Sequence, residues 1–451
     1  MRLKGILFLL LCLALHCKAQ KIKDVFISGK LVNLNNRTTV MDVSETGELR
    51  PLNNDREIRP DSAGNFSVHF KLQEANYFQI GRNVLYLSPG DRIKVVIDYD
   101  WPEKSTFSGS ARNADYYLGS IPFPKAGSYL DGGVNLKGTL QENINVIFTR
   151  AQERRDKLSA LQNVTPQFID LENCRIDADV INSFKMLPGY FVQQKKDAKE
   201  NYRKDYKKVD SLTRLYQYKY SAAIQKANFL KIEALRHVFY YIMDTVKNTD
   251  LNTSKIKDWQ YAYELVYYIN ASKNKKDLLQ LKAKIDSIKN PGYRNAVKES
   301  FDFKASFWEG DTAKDFQAYN VKNQVVSLSS FKGKLIYIDL WATWCVPCLK
   351  ELPFLDSLRK KYINNPNIIF ISLCVNERTA EWEKELQNRN LEGIQLFADS
   401  RQMLPYKIYA IPRTIIIDKD FKILMMNGPM PSSPVLQSYL DGLLKANKQN
   451  L

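Results

Sequence analysis

The stretch WATWCVPCLKELP, residues 341–353, places Cys345 and Cys348 at C-x-x-C spacing. Just before it, LIYIDLWA (335–342) is apolar at every position except Asp339 and reads as a buried strand. Just after it, CLKELPFLDSLRKKY (348–362) has helical spacing interrupted by Pro353. Cys345 therefore stands where a strand gives way to a helix. Outward from there, NIIFISLCV (367–375) reads as a second buried strand, and TAEWEKELQNRN (379–390) as a helix opening on a Thr cap. IQLFA (394–398) is a short strand, RTIIIDKDFKILMMN (413–427) a hairpin and PVLQSYLDGLLKAN (434–447) a closing helix. The alternation predicts an α/β layer, a partly parallel sheet covered by helices.

Three uses of the cysteine pair compete. A structural zinc site needs four nitrogen or sulfur ligands, and no second C-x-x-C or nearby His accompanies this pair. A purely structural disulfide would close a very small loop and gain little loop entropy. Thiol exchange is the reading its surroundings favour. The nucleophile must be a thiolate near neutral pH. A helix N-terminus points unpaired N–H groups and the positive end of the dipole at the Cys345 sulfur. Cys348, one turn in and more buried, would resolve the mixed disulfide that Cys345 forms.

Cys348 needs a base to lose its proton. Glu351 lies three residues further along the same helix face. Asp339, in its apolar strand, is expected beneath the pair, where burial raises a carboxyl pKa into the range of a proton shuttle. Each has a plainer reading: Glu351 as an exposed helix charge, Asp339 as a turn cap. Pro347 suits a helix first turn. Pro412, in YAIPRTIII, precedes an apolar strand and suits a cis bond that presents the Ile411 backbone to a substrate strand.

FKGKLIYIDLWATWCVPC (331–348) and AIPRTIIIDKD (410–420) resemble the thioredoxin superfamily, in particular its exported TlpA/ResA-like branch. The resemblance covers about residues 306–451. It implies a thioredoxin fold with nucleophile Cys345, resolving Cys348 (the two forming a redox-active disulfide), buried acid Asp339, helix glutamate Glu351 and cis-Pro412. Substrate contacts are assigned to Trp344, Ile411 and Pro412. No cofactor or metal is expected. YLSPGDRIKVVID (86–98) and FSGSARNADYY (107–117) resemble the N-terminal domain of multidomain exported proteins of Bacteroidetes-type bacteria.

The chain has 451 residues, more than one ordinary core accommodates. MRLKGILFLLLCLALHCKAQ carries two early basic residues, a short apolar run and Cys17-Lys18-Ala19, a secretory signal peptide over residues 1–19. Lipidation at Cys17 is the alternative, disfavoured by His16, and is the route by which membrane association would arise. Removal of the leader leaves Cys174, Cys345, Cys348 and Cys374, too few for a disulfide scaffold. Cys174 and Cys374 are expected as buried thiols, with a bond between them left open.

Residues 20–112 read as a β-rich domain, a small antiparallel sandwich with strands at 25–34, 65–72 and 92–99. Residues 113–304 read as an α-helical region, with helices at 141–162 and 221–246 and breaks at 163–166 and 248–253. Residues 305–451 form the thioredoxin-like domain. The net charge of +17 is spread over helical segments such as QQKKDAKENYRKDYKKVD (193–210), a solvated face without a nucleic-acid-binding pattern.

The function expected is a periplasmic thiol-disulfide oxidoreductase that reduces protein disulfides and draws on an upstream membrane thiol donor, with cytochrome c biogenesis one candidate setting. The Val-Pro pair between the cysteines lacks the histidine that helps make strong oxidants. A thiol peroxidase would want a threonine three residues before the reactive cysteine, where Ala342 stands. The other alternative is a partner-binding or assembly protein with an auxiliary redox domain.

Overall fold

Strands whose two faces are both covered lose alternation and become largely apolar, and such strands organise this chain. The computed structural model describes residues 22–34, 38–51, 56–121, 127–194, 198–221, 229–242, 251–272, 274–375, 379–398, 403–408 and 410–449. The expected leader and Cys17 lie outside the described residues.

The N-terminal part is β1 (Lys23–Val32), β2 (Thr38–Asp42), β3 (Arg56–Ile58), β4 (Asn65–Leu72), β5 (Asn76–Ile80), β6 (Asn83–Leu87), β7 (Arg92–Asp98) and β8 (Thr106–Gly109). They form two four-stranded sheets, ordered β4-β1-β7-β8 and β3-β2-β5-β6. Val25, Ile27, Phe66, Phe70, Leu85, Leu87, Ile93 and Val95 fill the space between them. The expectation of an antiparallel sandwich needs one correction: β1 and β7 run parallel. They are distant in sequence, so no tight hairpin constrains their direction.

The helical region comprises α1 (Arg112–Gly119), α2 (Leu140–Ser159), α3 (Pro166–Gln193), α4 (Ala198–Ser221), α5 (Glu233–Ile242), α6 (Leu251–Ala271), α7 (Lys275–Gln280), α8 (Lys282–Asp286) and α9 (Pro291–Ala305). Their starts are written locally. Thr139 and Glu142 form a reciprocal capping box for α2. Thr165 caps α3 ahead of Pro166, and Asn290 caps α9 ahead of Pro291. Helix α6 starts at Leu251, inside the break expected at 248–253, whose first residues lie outside the described set.

β6 is the first wholly buried strand. Leu85 and Leu87 face the other sheet, while Val84 and Tyr86 join the helical core with Phe168, Leu171 and Ile176. Buried polar clasps reinforce this shared core. Arg236 of α5 donates to Val43 O at 2.8 Å and to Leu230 O, and pairs with Glu48. Trp259 Nε1 donates to Glu45 O at 2.9 Å, and Ser300 Oγ to Leu49 O at 2.7 Å.

The C-terminal part runs β9 (Gln317–Asn320), β10 (Val325–Ser327), β11 (Leu335–Trp341), α10 (Val346–Lys361), β12 (Ile368–Val375), α11 (Thr379–Arg389), β13 (Ile394–Ala398), β14 (Arg413–Ile417), β15 (Ile423–Met425) and α12 (Leu436–Gln449). Its seven-stranded sheet is ordered β10-β9-β13-β12-β11-β14-β15. β11, β12 and β13 are parallel, joined through helices, and β14 returns antiparallel beside β11. This is the thioredoxin-like arrangement, so the chain is multidomain: sheet-rich, then helical, then α/β.

β11 is the second wholly buried strand. Ile336, Ile338 and Leu340 pack on one face with Ile371, Leu373 and Ile415. Leu335 and Tyr337 pack on the other with Leu355 and Leu358 of α10 and with Leu436 and Leu440 of α12. Each such side chain contributes about 1.5–3 kcal/mol of burial, which pins the strand that delivers the cysteine segment.

Candidate functional site

Cys345 is the N-cap of α10, with Pro347 in the first turn. Cys345 and Cys348 are joined in a disulfide, their Cα atoms 5.2 Å apart. The Cys348 N–H donates to Cys345 Sγ at 3.3 Å. The helix opening thus directs one of its otherwise unpartnered donors at the first sulfur, which favours a thiolate there when the bond is reduced. Cys345 is 4% exposed and Cys348 1%, so with the bond closed both are buried and the first is the more accessible. Their neighbours Trp344 and Val346 are 60% and 61% exposed and form an apolar rim around the pair.

The sheet supplies the floor. Trp341, Ala342, Cys374, Trp382 and Phe397 pack with Cys345, Cys348 and Leu352. By strand alternation Asp339 points to the same side as Tyr337 and Trp341, the side covered by α10. It is 1% exposed, and neither of its carboxylate oxygens has a hydrogen-bond partner among the described residues. Burial, and then the charge of Glu351, push its carboxyl up to about 7. A carboxyl held there changes protonation near neutral pH without rearranging a hydrogen-bond network.

Glu351, half-buried on α10, is fastened to the loop before α12. It accepts from the Ser432 backbone N–H and from Ser432 Oγ, each at 2.9 Å. Asp339 and Glu351 are thus two carboxylates in electrostatic contact, one buried and unpartnered, the other tied down.

The Ile411–Pro412 bond is cis. Ile411 packs against the cluster that holds the cysteines. Sequence reasoning did not reach the supports behind it. Arg413 donates to Met426 O at 2.7 Å and to Lys407 O at 2.8 Å. Lys407 Nζ donates to Lys304 O at 2.8 Å and Phe307 O at 3.0 Å, tying this loop to the end of α9. A buried Arg or Lys next to an X-Pro turn was the available signal, and it is a weak one. Cys174 lies in the helical core and Cys374 under the disulfide; both are buried and they are not bonded to each other. Among the described residues no helix is long and apolar enough to cross a membrane.

Residues 308–437 match the Redoxin family. The chain is 26% identical to the thiol-disulfide oxidoreductase ResA of Bacillus thuringiensis over 29% of its own length and 76% of the relative's. It is 27% identical to ResA of Bacillus subtilis over 31% and 78% of the two chains. A crystal structure from Bacteroides vulgatus, provisionally assigned as a thiol-disulfide oxidoreductase, is 38% identical over 31% of this chain and 99% of that one, with a TM-score of 0.30.

Proposed function

Because the C-terminal domain belongs to the thioredoxin superfamily, as a TlpA/ResA-like thiol-disulfide oxidoreductase, we propose that Cys345 and Cys348 reduce disulfides of proteins outside the cytoplasm. The chain is a thioredoxin-like redox enzyme, and its family acts on disulfide-containing proteins. The observations that carry the residue assignment are the buried cysteine pair at the start of α10, with Cys345 as its N-cap, and the buried Asp339 carboxylate, without a hydrogen-bond partner among the described residues, on the face of β11 that α10 covers.

In the proposed cycle the Cys345 thiolate attacks one sulfur of the substrate disulfide. A Cys345–substrate bond forms, the substrate S–S bond breaks, and the departing sulfur takes a proton. Cys348 gives its proton to the Asp339 carboxylate and attacks Cys345 Sγ. The mixed disulfide breaks, and the second substrate thiolate leaves and is protonated. Two electrons have passed to the substrate, and the enzyme holds the Cys345–Cys348 disulfide. A membrane thiol donor then restores the dithiol. Glu351, held by Ser432, keeps negative charge near Asp339 and so favours its protonated form. Trp344, Ile411 and Pro412 supply the contact surface for the substrate segment.

Export rests on the leader pattern of residues 1–19, with the mature chain periplasmic and tethered only if Cys17 is lipidated. The division at residues 112 and 304 is proposed with it. The test is reduction of insulin disulfides by the mature protein with a dithiol donor. Cys345→Ser abolishes turnover, and Cys348→Ser accumulates a mixed disulfide whose captured proteins identify the pathway, a haem-protein maturation factor pointing to cytochrome c assembly. Wild-type turnover by Cys345→Ser removes the assignment.

A further inference from the structure

A cavity of about 610 Å³ opens between the ends of α6 and α9 and the loop that carries Pro412. Its apolar wall includes Phe307, Trp308, Pro412 and Met426. Its charged lining is mostly cationic, with Lys304, Lys407 and Arg413 against the single carboxylate of Glu309. Glu309 is engaged, accepting from the Met426 N–H at 3.0 Å. Lys407 and Arg413 donate to backbone carbonyls, and Lys304 Nζ donates to Asn270 O at 3.0 Å, a bond that uses one of its three donors. In the lining, three full positive charges thus meet one negative charge and the partial charges of two helix C-termini. The crowding is felt in the titration: burial, and then the Lys304 charge, push Lys407 down to about 8 against the opposing charge of Asp311, which lies outside the lining.

The position of the cavity gives this charge a use. Pro412 lines it, while the adjoining Ile411 packs against the cluster of Cys345 and Cys348. A substrate chain crossing this loop with its cysteine at Cys345 brings a neighbouring residue to the cavity mouth, since an extended chain advances about 3.3 Å per residue.

We propose that the cavity is a substrate subsite that takes a carboxylate, an Asp or Glu within a few positions of the substrate cysteine. The proposal rests on the reading of Cys345 as nucleophile. It makes the helical region part of the substrate surface, because Asn270, Ser272 and Lys304 come from that region.

The test uses the full mature chain with a dithiol donor and peptides closed by one intramolecular disulfide, acetylated and amidated. Two peptides are identical except that one carries Glu and the other Gln on both sides of the cysteine. The Glu peptide is expected to have a kcat/KM about tenfold higher at low ionic strength, an effect that shrinks as salt is raised toward about 0.5 M. Lys304→Glu is expected to bring the ratio to one or below. A third peptide, Gln-flanked with a free C-terminus, tells whether a chain-terminal carboxylate also satisfies the site. Equal values for the Glu and Gln peptides in the wild type overturn the subsite, as does a Glu preference that survives Lys304→Glu. Insulin reduction run in parallel separates the two levels: loss of insulin reduction as well removes the nucleophile reading itself.

Discussion

Replacing Asp339 with Asn removes a titratable group from the floor of the site while keeping its shape. Asp339 is buried, has no hydrogen-bond partner among the described residues, and is pushed up to about 7 by burial and then by Glu351. In the unfolded chain an aspartate ionises near its ordinary value of about 3.9. Between these values the folded protein holds a proton that the unfolded chain has lost. Stability is therefore full below about pH 4 and falls as pH rises through about 7. At roughly 1.4 kcal/mol per pH unit, the wild type gives up about 3 kcal/mol between about pH 5 and about pH 8. The amide of Asp339→Asn has no proton to lose in this range, so the variant escapes that part of the decline. For a domain of this size about 3 kcal/mol is roughly 6 to 12 °C in Tm. Scanning calorimetry of the oxidised protein at the two pH values should show the redox-domain transition falling in the wild type and holding in Asp339→Asn. Turnover should fall by about a hundredfold or more, the usual worth of a positioned acid–base group, and lose its inflection near neutral pH. Parallel Tm curves for the two proteins, together with an unchanged pH–rate profile, refute the assignment of a buried titrating carboxyl here.

Glu351→Gln removes the second cause of the Asp339 shift and is expected to move the wild-type inflection in the pH–rate profile to lower pH, with burial keeping it above the ordinary carboxylate range. An inflection that stays put or rises contradicts the electrostatic contact between the two groups. Arg236→Leu leaves Val43 O and Leu230 O without their donor in a buried place, and is expected to cost about 3 kcal/mol in urea unfolding. Hydrogen exchange should quicken in β2 and α5 together, and quickening confined to α5 would contradict the shared core.

The α/β part was legible because its signals are local and reinforce each other. The apolar β11 with one acid, the C-x-x-C at a strand-to-helix junction and the hairpin after Pro412 all read correctly from neighbouring residues. The β5–β6 hairpin escaped notice for the reason that makes it structurally important. NVLYL does not alternate, because Val84 and Tyr86 serve one core and Leu85 and Leu87 another. The four-residue apolar run Val84–Leu87 is ambiguous by periodicity alone. The parallel pairing of β1 with β7 is set by distant partners and leaves no local mark. The same holds at the site. Asp339 stood out as a charge in an apolar strand, whereas Ser432 meets Glu351 across 81 residues and Lys407 meets Lys304 across 103. Such partners are created by the fold, and no spacing in the chain announces them.

The account depends most on the acidity of one thiol. Alkylation of the reduced protein by iodoacetamide across a pH series, with each cysteine followed by mass spectrometry, measures it directly. The predicted result is a Cys345 midpoint about one unit or more below the ordinary thiol value of about 8.5, with Cys348 slow to react over the same range. A Cys345 midpoint at the ordinary value, with both cysteines alkylated at equal rates, contradicts the account.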